Sequence, residues 1–153
     1  MDDEMVVSWI TPAGNDPAPK MSVLYSTVPL SEATELMMQA GDITQYDFHD
    51  VNKTTGVMTN YTSGYIHHAT LTGLETATKY YYAIQDSSCK ERFFTTLPAV
   101  GTSEPGITFG VVGDVGQTSY SSLTYAGLLA DESIKLVLNA GDMAYADCDQ
   151  NRW

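Results

Sequence analysis

Apolar and polar residues alternate along short runs throughout the first two thirds of the chain. This period of two is typical of β-strands that bury one face. Stretches rich in Gly, Pro, Asn, Asp and Ser separate the runs, as turns do in antiparallel sheets. The pattern predicts an all-β module over residues 1–97, most simply a β sandwich, with strands at residues 5–11, 21–28, 66–71, 79–84 and 92–96 and a turn at 86–88.

One tyrosine makes this prediction more specific. Tyr80 begins a predicted strand shortly after the corner Leu-Thr-Gly-Leu at residues 71–74. This placement is typical of the tyrosine corner of immunoglobulin-like and fibronectin type III sandwiches. The alternative is that the run of three tyrosines at 80–82 only favours a strand. In a sandwich of this type, residues 5–11 would be the second strand, and the first strand would be missing.

The pattern changes after a Pro- and Gly-containing segment at residues 98–106, which we interpret as a linker. An unbroken apolar run at 107–112 ends in Gly-Asp, a short helix is predicted at 121–130, and a second apolar run at 135–140 also ends in Gly-Asp. Strand, helix and strand in this order form a βαβ unit, whose parallel strands are expected to be buried on both faces. Residues 107–153 are therefore predicted to begin an α/β domain.

The chain is strongly acidic, with 7 Lys and Arg against 19 Asp and Glu and a net charge of −12. This charge argues against nucleic acid and anionic membranes as partners, and a phosphorylated substrate would need a bound cation to reverse the local potential. No apolar run is long enough to span a bilayer, and no basic leader precedes the first strand. Whether Cys89 and Cys148 form a disulfide is left open, and Asn52 and Asn60 fit the N-glycosylation pattern weakly.

Two aspartates follow the two apolar runs of the second half. Asp114 and Asp142 lie 28 residues apart, about one βαβ unit, so both should emerge at the carboxyl edge of one sheet. Two adjacent carboxylates repel each other unless a cation lies between them, and hard ions prefer such oxygen ligands. Tyr145 adds a phenol, which a strongly acidic ion such as ferric iron deprotonates on binding. The alternative is that each Gly-Asp is only a turn or a helix cap.

These motifs resemble those of a known family. GDVG at 113–116 and GDMAY at 141–145 are similar to the first two metal motifs, GDxG and GDxxY, of the purple acid phosphatases. Ala146 and Asp147, and later Arg152 and Trp153, resemble the family just after its second motif. MVVSW at 5–9 and YTSGYIHH at 61–68 resemble its fibronectin-like N-terminal domain. The resemblance extends in order along nearly the whole chain.

The resemblance implies a fibronectin III-like β sandwich followed by the first βαβ unit of an α/β metallophosphoesterase domain. It further implies hydrolysis of phosphate monoesters at acid pH by a binuclear centre of Fe(3+) and a divalent Zn, Mn or Fe. By motif, Asp114 would bind the ferric ion, Asp142 would be shared by both ions, and Tyr145 would supply the phenolate. The family also implies secretion or a vacuolar or lysosomal location, and a possible homodimer.

The chain lacks the later motifs of the family, GNH[DE], VxxH and GHxH. Its histidines, His49, His67 and His68, all lie in the β module, and the adjacent pair should point to opposite faces of a strand, which indicates structural roles. We therefore expect an N-terminal fragment that is inactive by itself. Two alternatives are a non-catalytic fibronectin-like binding module and another metallophosphoesterase acting on phosphodiesters.

Overall fold

A computed structural model of the chain describes residues 3–14, 21–51, 56, 58–85, 90–102 and 106–145. The chain divides into two compact units, residues 1–100 and 101–153. The predicted turn at 86–88, the glycosylation candidate Asn52, both cysteines, and the family-like residues Ala146, Asp147, Arg152 and Trp153 lie outside the described residues.

The first unit contains nine described strands and the second contains a strand, a helix and a strand. In chain order they are β1 (Met5–Thr11), β2 (Ser22–Ser26), β3 (Met37–Ala40), β4 (Asp42–Thr44), β5 (Asp47–Val51), β6 (Met58–Thr62), β7 (Tyr65–Leu71), β8 (Lys79–Ile84), β9 (Arg92–Thr95), β10 (Thr108–Val112), α1 (Ser119–Ala130) and β11 (Ile134–Asn139).

Antiparallel pairing organises the first unit. One sheet has the strand order β1-β7-β4, a second has the order β3-β2-β8-β9, and β5 and β6 form a separate hairpin. All of these pairs are antiparallel. Because successive side chains of a strand point to opposite faces, every second residue of each larger sheet lies on the same face of that sheet.

Side chains from the two larger sheets form one hydrophobic core. Val23 from β2 and Ala69 from β7 have no exposed surface, and Tyr80 of β8 is 3% exposed. Such packing between two antiparallel sheets is what a β sandwich requires. The core residues are Val7, Val23, Tyr25, Ala69, Leu71, Leu74 and Tyr80.

The adjacent histidines of β7 lie on opposite faces of their sheet, as predicted. His67 is fully buried; its Nε2 lies 2.9 Å from Oγ1 of Thr11, and its ring stacks on Trp9 with 4.8 Å between the ring centroids. His68 is exposed, and its Nδ1 lies 2.7 Å from Oγ of Ser8. The two rings therefore cannot bind one ion together, and the structural role of both side chains stays a prediction.

The predicted tyrosine corner is also present. The hydroxyl of Tyr80 accepts a hydrogen bond of 2.9 Å from the backbone N–H of Glu75, five residues upstream. This bond closes the connection that enters β8, in the manner of the tyrosine corners of sandwich domains.

The sequence analysis missed four strands of the first unit, β3 to β6. Each has three to five residues, and their exposed positions include Met37, Met38 and Met58. Because these strands bury little apolar surface, their sequences do not alternate clearly, and the pairing with neighbours determines their conformation. The predicted strands at 5–11 and 79–84 have the bounds of β1 and β8. Elsewhere the predicted bounds are wrong by one or two residues; for example, the strand predicted at 21–28 spans only Ser22–Ser26.

In the second unit, β10 and β11 pair in parallel and α1 connects them. Gly110 is buried, but Val111 is 65% exposed and Leu138 is 48% exposed. The burial on both faces that parallel strands need in a complete domain is not reached here, as expected of about 47 residues that cannot enclose a core by themselves. Among the described residues, α1 is the only helix near this sheet, which leaves most of the strand surface in solvent. No helix of the described part is long and apolar enough to cross a bilayer.

Candidate metal centre

The pairing of β10 with β11 brings the two Gly-Asp motifs together. Val112 and Asn139 are partners at the ends of the two strands, and the N–H of Ala140 donates to the carbonyl of Val112 at 2.7 Å. Past the strands, the N–H of Val115 donates to the carbonyl of Asp142 at 3.0 Å. Both motifs therefore leave the sheet at the same carboxyl edge, where α/β proteins place their binding sites.

A direct contact joins the two aspartates. The backbone N–H of Asp142 donates to Oδ1 of Asp114 at 3.1 Å, although the residues lie 28 positions apart in the chain. Asp114 has a φ of +51°, in the left-handed region that Asp adopts only at some cost. The loop is thus held in a conformation that brings the Asp114 carboxylate to the other motif.

Two glycines make this approach possible. A Cβ atom at Gly141 would lie 2.5 Å from Oδ1 and 2.6 Å from the backbone N of Asp114. Gly116 has a φ of +69°, and a Cβ there would lie 3.1 Å from the ring of Tyr145. Gly141 of the second motif is therefore needed for the close approach of Asp114, and Gly116 of the first motif for the close approach of Tyr145. A simple turn or helix cap would not require these contacts.

Tyr145 completes the group of oxygen-bearing side chains. Its ring packs beside Gly116 and is 44% exposed. Desolvation of the hydroxyl, its hydrogen bond to Asp114, and the negative charges of Asp114 and Asp142 all raise the pKa of Tyr145. The phenol is therefore neutral beside the two carboxylates, and only a strong local positive charge would convert it to a phenolate.

The start of α1 borders Asp114. The side chains of Thr118 and Ser121 form a capping box, and the Oγ of Ser121 also donates to the carbonyl of Val115 at 2.6 Å. A shallow hollow of about 240 Å³ lies between this helix start and the loop, lined by Val112, Gly113, Asp114, Val115, Thr118, Tyr120, Ser121 and Thr124. The sequence analysis did not assign these helix residues to the site; Thr118, directly before the helix, is an N-cap signal that could have identified the helix start.

The donors at this edge fit a hard cation. They are two carboxylates and a phenol, all oxygen ligands of the kind that hard ions prefer. No group of three or more His, Cys, Asp or Glu residues suited to metal occurs within the part of the chain that the structure describes. The candidate centre is therefore a carboxylate pair with one phenol, and a complete coordination shell would need further ligands.

Comparison with known proteins identifies the family. Residues 1–96 match the family profile described as the purple acid phosphatase N-terminal domain. The chain belongs to the purple acid phosphatase family. Its second unit carries the GDxG and GDxxY segments in the order expected of the family, and their aspartates are the ones that meet at the sheet edge.

Curated relatives match the chain along most of its length. Purple acid phosphatase 5 of Arabidopsis thaliana is 33% identical over 97% of this chain and 35% of its own length. Phosphoenolpyruvate phosphatase of Allium cepa is 37% identical over 94% of this chain and 26% of its own. Fe(3+)-Zn(2+) purple acid phosphatase 12 of Arabidopsis thaliana is 42% identical over 61% and 21%. The chain therefore spans about a third or less of the length of these relatives.

A solved structure supports the fold. Purple acid phosphatase PPD1 from yellow lupin seeds superposes with a TM-score of 0.66 at 19% identity, covering 96% of this chain and 28% of the lupin chain. At this identity the likeness concerns the fold alone. It supports the mostly β architecture of the first unit as that of a purple acid phosphatase.

The glycosylation candidate Asn60 lies on β6. Its Oδ1 is 2.9 Å from Nδ1 of His49 on the paired strand, and the hydroxyl of Thr62 donates to Oδ1 of Asp47 at 2.7 Å. Asn60 is exposed, and its contact with His49 is made by the side-chain oxygen and not by the amide nitrogen that a glycan would modify.

Proposed function

We propose that this chain is the N-terminal part of a purple acid phosphatase that hydrolyses phosphate monoesters with a binuclear metal centre. Residues 1–97 would form a fibronectin III-like β sandwich without its first strand, 98–106 a linker, and 107–153 the first βαβ unit of a metallophosphoesterase domain. One observation carries the proposal: in a member of this family, Asp142 donates its backbone N–H to the Asp114 carboxylate beside Tyr145.

Three residues would hold the metals. Asp114 would bind Fe(3+), Asp142 would be shared with a divalent Zn, Mn or Fe, and Tyr145 would bind Fe(3+) as a phenolate. Iron and zinc occur together in the name of one relative, purple acid phosphatase 12. When bound, the two ions would supply the positive charge that polarises a phosphate ester and activates water for its hydrolysis.

The residues of the chain prepare this site. The bond from the N–H of Asp142 to Oδ1 of Asp114 fixes the orientation of one carboxylate at the edge where a cation would bind. The raised pKa of Tyr145 keeps its proton in place until a cation offsets the two neighbouring negative charges. With a chain charge of −12, an anionic ester would be bound only where such cations reverse the potential.

The second unit would depend on further polypeptide. Exposed apolar side chains cover its strands and helix, including Phe109, Leu123 and Leu129, which is 84% exposed. Parallel sheets are normally covered on both faces, so we propose that the remainder of a phosphatase domain covers these residues. The remainder would also supply the Asn and His ligands of the later motifs.

A chromogenic phosphate ester tests the inactivity of the chain. The 153-residue chain, loaded with Fe(3+) and Zn(2+), should show no hydrolysis above the metal-only control. A chimera that joins residues 1–153 to the remaining part of purple acid phosphatase 5 should hydrolyse the ester. Metal-dependent turnover by the 153-residue chain alone would contradict the proposal.

Location and modification form a separate part of the proposal. We propose an extracellular or vacuolar-lysosomal protein, glycosylated at Asn52 or Asn60, supported by the two acceptor triplets and the family resemblance. Enzymatic removal of N-glycans from the protein isolated from its source should lower its mass. A mass that does not change would exclude glycosylation at both positions.

A further inference from the structure

The one buried side chain of α1 is polar. Ser121 is 6% exposed, and all other residues of this helix are more exposed, including the large apolar side chains of Leu123 and Leu129. A buried hydroxyl group normally has hydrogen-bond partners. The partners of Ser121 therefore show what the start of the helix holds in place.

The hydroxyl of Ser121 makes one bond outside the helix cap. Its Oγ donates to the carbonyl of Val115 at 2.6 Å and accepts the backbone N–H of Thr118 at 2.9 Å. A serine hydroxyl has a single proton, and here that proton is given to the loop after Asp114. The bond to Thr118 belongs to the capping box, whereas the bond to Val115 does not. The two contacts can therefore be separated by substitution.

Val115 links Ser121 to both metal motifs. Its carbonyl accepts the Ser121 proton, and its backbone N–H donates to the carbonyl of Asp142 at 3.0 Å. Asp142 in turn donates its own N–H to Oδ1 of Asp114 at 3.1 Å. A continuous series of hydrogen bonds thus connects the buried serine to the two aspartates.

Both chain neighbours of Val115 have a left-handed backbone. Asp114 has a φ of +51° and Gly116 a φ of +69°. Tyr145 contacts both of them, because its hydroxyl is hydrogen-bonded to Asp114 and its ring packs against Gly116. An unfavourable backbone conformation persists only where the surrounding structure holds it. The bonds at the two ends of Val115 hold this segment.

We propose that Ser121 is a positioning residue for the metal centre. Its hydroxyl holds Val115, and Val115 in turn fixes Asp114 and Gly116 relative to Tyr145. Without the hydroxyl, the carbonyl of Val115 loses its partner, and the loop relaxes out of the left-handed conformation. Asp114 then moves relative to Tyr145. This inference rests on the proposed function, since Asp114 and Tyr145 are the residues that would bind Fe(3+).

The first measurement needs no metal. Hydrogen exchange is followed by mass spectrometry in the metal-free chimera with purple acid phosphatase 5, in peptides that contain the amides of Val115 and Asp142. We expect Ser121→Ala to exchange these amides at least about tenfold faster, because their acceptors are no longer held in place. Ser122→Ala is the matched control, since it removes a serine hydroxyl from the next, exposed position of α1. This control should exchange as the unmodified chimera does.

The second measurement separates positioning from helix capping. Thr118→Ala removes the cap side chain but keeps the bond from Ser121 to Val115, whereas Ser121→Ala removes that bond as well. In the Fe(3+)-loaded chimera, Ser121→Ala should raise the apparent Kd for Fe(3+), measured by competition with citrate, by about tenfold or more. It should also shift the visible absorption band of the Fe(3+)–phenolate pair at Tyr145. Thr118→Ala should keep the wavelength of this band.

Two further variants at the same position keep the test decisive. Ser121→Thr retains a hydroxyl and should restore both the Kd and the band. Ser121→Cys keeps the volume of the side chain but donates weakly, so it should change both in the same direction as Ser121→Ala. It replaces the alanine variant if circular dichroism shows that Ser121→Ala is unfolded.

The outcomes distinguish this inference from the proposed function. Unchanged exchange and an unchanged band in a folded Ser121→Ala variant would overturn the positioning role. Equal band shifts in Thr118→Ala and Ser121→Ala would also overturn it, because helix stability alone would then explain both. An unmodified chimera that binds no iron would contradict the proposed function, and hydrogen exchange in the metal-free chimera would then decide whether Ser121 holds the two motifs.

Discussion

At the scale of single residues, Gly141 determines how closely the two metal motifs approach. Replacing it by alanine places a Cβ 2.5 Å from Oδ1 and 2.6 Å from the backbone N of Asp114. Since backbone atoms cannot move aside easily, we expect Gly141→Ala to break the contact between Asp114 and Asp142. In the chimera with purple acid phosphatase 5, iron content measured by mass spectrometry should fall by at least about tenfold, because a shift of about 1 Å misplaces a ligand.

Gly127 is the matched control for this substitution. It lies in α1, where an added Cβ would meet no atom within 4 Å, and alanine favours helices over glycine. Gly127→Ala should therefore keep the metal content of the chimera. Full iron content in Gly141→Ala would show that the contact between the two loops does not position the ligands.

Substitution of Tyr80 tests the tyrosine corner of the first unit. Tyr80→Phe keeps the buried ring but removes the oxygen that accepts the N–H of Glu75. We expect the free energy of unfolding of the first unit, measured by urea denaturation, to fall by about 1–2 kcal/mol. Tyr81→Phe, at the neighbouring position of β8, is the control and should change the free energy of unfolding by less than about 0.5 kcal/mol. Equal losses in both variants would remove the evidence for a corner.

The buried side chain of His67 should make the stability of the first unit depend on pH. Burial, and next the charge of His68, lower the pKa of His67. The unfolded chain, with an ordinary His pKa near ~6.5, then binds the proton more readily than the folded chain. The free energy of unfolding should therefore fall as the pH drops below ~6.5, until the lower folded pKa is passed. Urea denaturation between pH 7.5 and 5 measures this slope.

Substitution of His67 should remove part of that slope. His67→Gln keeps a polar partner for Thr11 and does not titrate, so its stability should depend less on pH. His49→Gln, on the exposed β5 strand, is the control and should retain the slope. The proposed function places no metal on His67, so a chimera carrying His67→Ala should also keep most of its phosphatase activity. Loss of phosphatase activity in the His67→Ala chimera without a fall in its free energy of unfolding would contradict a purely structural role of His67.

At the scale of elements, α1 connects the candidate site to the sheet through its N-terminal turn. Thr118 caps the helix, and Ser121 bonds both to Thr118 and to the carbonyl of Val115 in the loop after Asp114. Thr118→Ala should destabilise the helix by about 1 kcal/mol, seen as faster hydrogen exchange of the α1 amides. The exposed Thr124→Ala in the middle of α1 should have a smaller effect. Unchanged exchange in Thr118→Ala would show that the cap contributes nothing.

Elements with a strong hydrophobic pattern were predictable from the sequence. The strands β1, β7, β8 and β10 bury alternating side chains or form unbroken apolar runs, and their predicted bounds agree within one or two residues. The strands between residues 37 and 62 were not predicted, since their side chains are mostly exposed and pairing alone holds them.

The meeting of the two aspartates was predictable, but its details were not. The spacing of 28 residues follows from one βαβ unit, so the shared sheet edge could be inferred from the pattern. The left-handed φ of Asp114 and the hydrogen bond from Ser121 depend on loop geometry that no local propensity specifies. Their residue types, Asp and Ser, are common in loops of every kind.

At the scale of the whole molecule, the chain combines a well-packed β unit with a βαβ unit that exposes its apolar residues. The first unit has a core with several side chains less than 1% exposed, whereas in the second unit Leu129 and Tyr120 are 84% and 79% exposed. The second unit therefore needs further polypeptide to cover these residues, and we propose that the remainder of a phosphatase domain covers them.

The metal content of the chimera with purple acid phosphatase 5 tests the central claim most directly. Iron and the divalent metal are measured in the purified chimera, in its Asp142→Asn variant, and in the control Glu132→Gln from the exposed turn before β11. The account predicts two metal ions per chain in the chimera and the control, and loss of both in Asp142→Asn. Retention of both metals by a folded Asp142→Asn variant would contradict the proposed centre.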